Sequence, residues 1–267
     1  SGFKEGYSAF TDIIVKKQAV RWDTIIFSVE SAAVVSVFTY AFLPFYLHTI
    51  FGYGLKELSL FFLVRLAGNL LGNYATSKMS RVHYFDKNPR AKVRWMTAVG
   101  FTALLTPLFI LGAIPALATW GTFTLPIFGL WSMPLSALGI GILTYLFLRG
   151  FFDAPYHSIS NGVVRDPDQT PKNRFAMTES VRNVIFHIFG ALAAIAAAVL
   201  LGRGTGVIPM TLVFVGLTMI LGVMNLLSPH FYGMKEASQA APWTYKLYAA
   251  LTGLSNPSRA RVALGRA

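Results

Sequence analysis

Glu30, Arg65, Arg149, Asp153 and His187 are ionisable residues standing inside apolar stretches of this chain. A charged group surrounded by hydrocarbon is costly, so each is a candidate for binding or for moving ions. Glu30 and Arg149 fall at similar depths in the first and fourth apolar runs, about two helical turns from the basic ends. Asp153 follows Arg149 by four residues, the spacing that brings two side chains together on a helix. Such a trio suits a proton or substrate relay, and equally a structural ion pair that locks helices together. Arg65, in the outer half of the second run, can hold an anionic substrate or lipid, snorkel to the interface, or meet a partner subunit. His187, near the middle of the fifth run, can titrate near neutral pH or serve as a hydrogen-bonded packing residue.

Other chemistries find no residues to carry them. The chain has no cysteine, which removes disulfides, thiolate metal sites and cysteine nucleophiles. His48, His83, His157 and His230 lie at run ends or in connections without metal-ligand spacing. No nucleophile–base arrangement or phosphate loop occurs, and GRGTG at 202–206 reads as a flexible turn. The expectation is therefore no enzyme, no cofactor and no metal.

The elements that hold these residues follow from composition. Of 267 residues, 54% are hydrophobic and 13% charged, about half the charge of an average soluble domain. Apolar runs recur near 25–50, 57–77, 95–118, 133–156, 178–201 and 207–228. Each reaches the roughly 20 residues that cross a bilayer as a helix. Pro44, Pro107, Pro115 and Pro134 fall within or beside the runs, where membrane helices tolerate them. The segment 120–132 reads as an interfacial loop or a short re-entrant piece.

The net charge of +12 is a topology signal rather than a nucleic-acid footprint. Nineteen basic residues fall in the N-terminal segment, the second and fourth connections and the C-terminal tail; the opposite connections hold only Lys56 and Arg203. The positive-inside rule then places both ends inside, in a bacterial cytoplasmic or mitochondrial inner membrane. The same basic face suits anionic lipid. Residues 1–23 read as an amphipathic interfacial segment, residues 24–228 as a six-helix bundle, and 229–267 as an interfacial helix followed by a basic tail. Pro229 is expected to end the sixth helix. The tail would be ordered only if a neighbour held it. The small-residue run 190–202 suits close helix packing or a partner, and the aromatic cluster Phe38, Tyr40, Phe42, Phe45 and Tyr46 suits a sugar site or lipid contact.

Two stretches carry a family resemblance. Residues 45–81 (FYLHTIFGYGLKELSLFFLVRLAGNLLGNYATSKMSR) and 143–194, with Arg149, Gly150, Pro155, Arg174 and Gly190, are similar in pattern to one half of a major facilitator superfamily transporter. The branch most resembled is the melibiose-carrier type of sugar–cation symporter. The resemblance implies an all-α integral membrane protein resembling one six-helix half-bundle, in which the first and fourth helices are neighbours. That would pair Glu30 with Arg149. Departures are plain: Arg65 and Leu66 match the branch's second-helix pattern, but Gly68 and Gly72 stand where it places two cation-binding aspartates. The loop motif keeps Gly72 and Arg81 but has Thr76 at its aspartate position.

Two readings of function follow. The first is a non-catalytic accessory or scaffold subunit of a larger membrane complex, with other membrane subunits as partners; the lost aspartates and the single half motivate it. The second is a secondary transporter of a small polar or sugar-like solute, completed by a second copy or another half and using Glu30, Arg149 and Asp153. A lipid-handling or assembly role is a third class without a specific residue in its favour.

Overall fold

The computed structural model describes residues 2–32, 43–111, 122–127, 131–166, 168, 170–204 and 207–252. Helix α1 (Gly2–Ala9) passes through a π-helical turn (Phe10–Val15) into α2 (Gln18–Glu30). Next come α3 (Leu43–Phe51), α4 (Leu55–Arg81), the single turn α5 (Tyr84–Lys87) and α6 (Pro89–Leu111). Strands β1 (Thr122–Ile127) and β2 (Trp131–Ser136) precede α7 (Ala137–Val164). A 3-10 turn (Lys172–Arg174) leads into α8 (Phe175–Gly202), followed by α9 (Val207–Phe231), α10 (Ala237–Ala240) and α11 (Pro242–Thr252). The fold is thus helical, with helix in each of the apolar runs. Of these, Leu55–Arg81 and the stretch Lys172–Leu200 are long and apolar enough to cross a membrane by length and composition.

The segment read as a loop or re-entrant piece contributes instead to an antiparallel β-hairpin, pairing Thr122 with Ser136 through Ile127 with Trp131. Pro126 and Pro134 fit there because a two-stranded ribbon leaves one edge of each strand unpaired. The aromatic cluster lies mostly outside the described residues, as does the basic tail from 253 onward.

Helices α4 and α7 form one closely packed pair and α6 and α9 another, with α2 packed against α7, α8 and α9. Glycine makes the first pair possible. A Cβ added at Gly68 would stand 2.3 Å from the Phe147 carbonyl oxygen, and one at Gly72 equally near that of Phe151. Across the seam, a Cβ at Gly150 would stand 2.6 Å from the Arg65 carbonyl oxygen. The two helices therefore touch backbone to backbone, with Cα–H groups facing carbonyls. Pro155, inside α7, cannot donate to Phe151, and the carbonyl it leaves unpaired is the one facing Gly72. The second seam repeats the device at Gly100 against Leu226 and Gly222 against Leu104.

Pro229 does not end α9, which continues to Phe231. The carbonyl of Asn225, deprived of its usual donor by the proline, accepts the Ser228 hydroxyl at 2.8 Å. Helix and proline are compatible because the lost bond is replaced locally.

Candidate functional site

The core between α2, α6, α7 and α9 is apolar where Ile26, Met96, Val99, Ile159 and Leu221 meet, and highly charged immediately beside it. Arg149, only 1% exposed, reaches from the middle of α7 toward the end of α2. Its Nη2 donates to Glu30 Oε1 at 2.5 Å, and its Nε lies 2.9 Å from Asp153 Oδ1 one turn along α7. A third contact runs from Nη1 to the Val99 carbonyl of α6, a long 3.4 Å. The guanidinium thus ties three helices. The Nε–Asp153 approach is an ion pair without hydrogen-bond alignment, and Glu30 Oε2 has no hydrogen-bond partner among the described residues. Two carboxylates share one guanidinium in contact.

The structure therefore brings Glu30, Arg149 and Asp153 together. Arg65 is half-buried on α4, its own carbonyl facing Gly150. His187 joins no such cluster: it is exposed on the outer face of α8, edge-on to the Phe186 ring. The packing role expected of it does not arise, because α8 buries its opposite face.

A second buried cluster lies two turns along α2 toward its start. Asp23, 2% exposed, accepts hydrogen bonds from the Arg182 guanidinium of α8 and from the Ser160 hydroxyl of α7. It also accepts the Tyr232 hydroxyl at 2.8 Å, just beyond α9. Because that proton points at Asp23, Tyr156 must be the donor in its 3.4 Å contact with Tyr232. Burial and the Asp23 charge hold the Tyr232 hydroxyl well above its ordinary range. Arg182 also reaches Glu179 at 2.8 Å, so this site again shares one guanidinium between two carboxylates. Gln18 donates to the Phe231 carbonyl at 3.2 Å and Trp22 stacks on the Phe231 ring, sealing the same level.

This cluster joins the starts of α2 and α8 to the ends of α7 and α9, the helix ends that carry the basic connections. Arg182 falls within the 178–201 run, where a buried cation requires a buried acid such as Asp23. Asn225 went unnoticed: its amide is fully buried in α9, without a hydrogen-bond partner among the described residues. No three His, Cys, Asp or Glu side chains gather as metal ligands among the described residues.

Comparison with known proteins adds no neighbour: no family model, curated protein or solved structure matches the chain.

Proposed function

We propose that this chain is a six-helix membrane bundle of a secondary transporter, in which Glu30, Arg149 and Asp153 form the ion-exchanging centre for a small polar or sugar-like solute. The observation that carries the reading is the sharing of one buried guanidinium by two carboxylates from different helices. A buried charge persists only while it is paired, and removing one partner strands the other at high cost. Arg149 has two acids to choose between. A proton or small cation arriving at Glu30 or Asp153 shifts that choice. Because Glu30 is on α2 and Asp153 on α7, the shift changes how tightly the two helices are joined. Linking ion occupancy to helix packing is the physical requirement for coupled transport.

The membrane setting in this reading is supported by α4 and α8. Only 17% and 11% of their apolar windows are buried, leaving leucine, isoleucine and valine side chains outward along both. A water-soluble monomer rarely exposes apolar patches of that extent. The basic helix ends then lie on the inner side, and the six apolar runs cross the bilayer. Gly68 and Gly72 serve packing in this proposal, so the cation-binding role of the symporter branch's aspartates passes to Glu30 and Asp153.

The test is solute counterflow and ion-driven uptake in proteoliposomes across a panel of sugars and small polar solutes. Accumulation by the wild type and its loss in Glu30→Gln support the proposal. Absence of flux for every solute, with the protein folded and inserted, contradicts it.

The exposed faces of α4 and α8 also favour a second reading, the accessory subunit, since such faces accept helices as readily as lipid. Native mass after gentle extraction separates the two: co-purifying chains without transport support the subunit.

A further inference from the structure

A cleft of about 360 Å³ opens between α1 and the start of α8, lined by Lys4, Glu5, Ser8, Asn173, Arg174 and Met177. Two cations face one acid there, and the polar lining offers hydroxyl and amide donors between them. Arg174 Nη1 reaches across the cleft toward Ser8 Oγ at a long 3.5 Å. Lys4 and Arg174 are both exposed, so the cleft is open to a ligand from outside.

The apolar edge of the cleft continues up α8. Met177, Val184, Ile188, Leu192 and Ile195 share one side of the helix, while Val181 between them packs against Ile14, Val20 and Val164. From Val184 onward this stripe is 51–61% exposed. Met177 and Ile195 are separated by about 27 Å along the axis, close to the thickness of a bilayer's hydrocarbon core. On the other wall, Tyr7 and Phe10 are exposed apolar side chains beside Lys4, as in a helix lying along a membrane surface.

We infer that this cleft binds the phosphate of an anionic phospholipid, whose acyl chain lies along the outer face of α8. The inference rests on the membrane reading proposed above. Charge complementarity selects the headgroup: Lys4 and Arg174 pair with the phosphate, and Ser8 and Asn173 complete its hydrogen bonds. A zwitterionic headgroup would bring its own ammonium up to the same two cations and lose most of that attraction. The apolar stripe selects a lipid over a free anion, because it begins at the cleft and has no other use for a soluble ligand.

The experiment is native mass spectrometry of the full chain in detergent, titrated with phosphatidylglycerol, phosphatidylcholine or inorganic phosphate. Retention of phosphatidylglycerol over phosphatidylcholine is expected, with a drop of about tenfold in the Lys4→Gln/Arg174→Gln variant. Ile188→Asn should weaken both lipids while leaving their ratio unchanged. Equal retention of the two lipids overturns the proposal, as does an unaltered preference in the double variant. Displacement by inorganic phosphate alone, or a lipid-free dimer seated on α8, overturns it too. Alkaline extraction of native membranes separates the causes of failure. Release of the chain by alkali removes the membrane reading itself, whereas a retained but lipid-blind chain removes only the headgroup site.

Discussion

Asp23 and Glu30 stand two turns apart on one face of α2, and each holds an arginine from a different helix. Arg182 of α8 meets the first and Arg149 of α7 the second. Helix α2 is therefore fastened at two levels, about 10 Å apart by the helical rise. The lower level also gathers Ser160 and Tyr232, so α7, α8 and the residue that follows α9 close on one carboxylate. The upper level has fewer hydrogen bonds and an unpartnered Glu30 oxygen. The lower cluster is therefore the better-satisfied fastening, and the upper one is the site to which the transport proposal assigns ion exchange.

Replacing Asp23 with Asn should destabilise the bundle by about 3–5 kcal/mol, because it leaves the Arg182 charge buried beside Glu179 alone. Adding Arg182→Gln should restore part of the loss, since the stranded cation is then gone. Thermal unfolding in detergent reads both. Equal stability of the single variant and the wild type would show that the fastening contributes little.

Gly72→Ala should cost about 1–3 kcal/mol, because its Cβ would meet the Phe151 carbonyl in a seam with no room to yield. Gly162→Ala is the control: nothing lies within 4 Å of its added Cβ, and alanine is the better helix former. The control should be neutral or stabilising in the same unfolding assay.

The glycine result also marks what the sequence made legible. The apolar runs and the spacing of Arg149 and Asp153 were sufficient to place helices and to anticipate the Glu30–Arg149 pair, with help from the family pattern. Gly68 and Gly72 could be seen only as missing aspartates, since close backbone approach depends on which helix lies opposite. Asp23 escaped for the same reason: its partners come from residues 160, 182 and 232, and no local spacing connects them. The hairpin at 122–136 was hidden because its prolines argue against a strand unless the ribbon has open edges.

Acid should loosen α11. His230 lies beyond the apolar run 207–228, with its Nε2 2.8 Å from Thr244 Oγ1. Thr244 gives its own proton to the Ala241 carbonyl at 2.7 Å, so the ring must be the donor. Tyr245 and Tyr248 are the titratable groups whose rings pack on it. Burial lowers the His230 pKa from 6.5, so the folded state disfavours its charged form. The contribution is complete above the ordinary value and declines as pH falls from it toward the lowered one. Intrinsic-rate-corrected hydrogen exchange in α11 should accelerate as pH falls below the ordinary histidine value of 6.5, and His230→Gln should flatten that dependence.

Asn225→Leu should stabilise the protein by about 1 kcal/mol, since it replaces a buried amide lacking partners with an apolar side chain of similar size. Loss of solute flux in a variant that is more stable would place Asn225 on the solute's path instead.

Exchange of an ion at Glu30 and Asp153 as solute moves is the step on which the transport proposal depends. Its most direct test records internal pH and sodium in proteoliposomes as a transported solute is added, comparing wild type with Glu30→Gln and Asp153→Asn at matched incorporation. Solute-dependent proton or sodium entry is expected in the wild type, with its loss in both variants while the fold is retained. Solute entry accompanied by no ion movement, or ion coupling that persists undiminished in both variants, would contradict it.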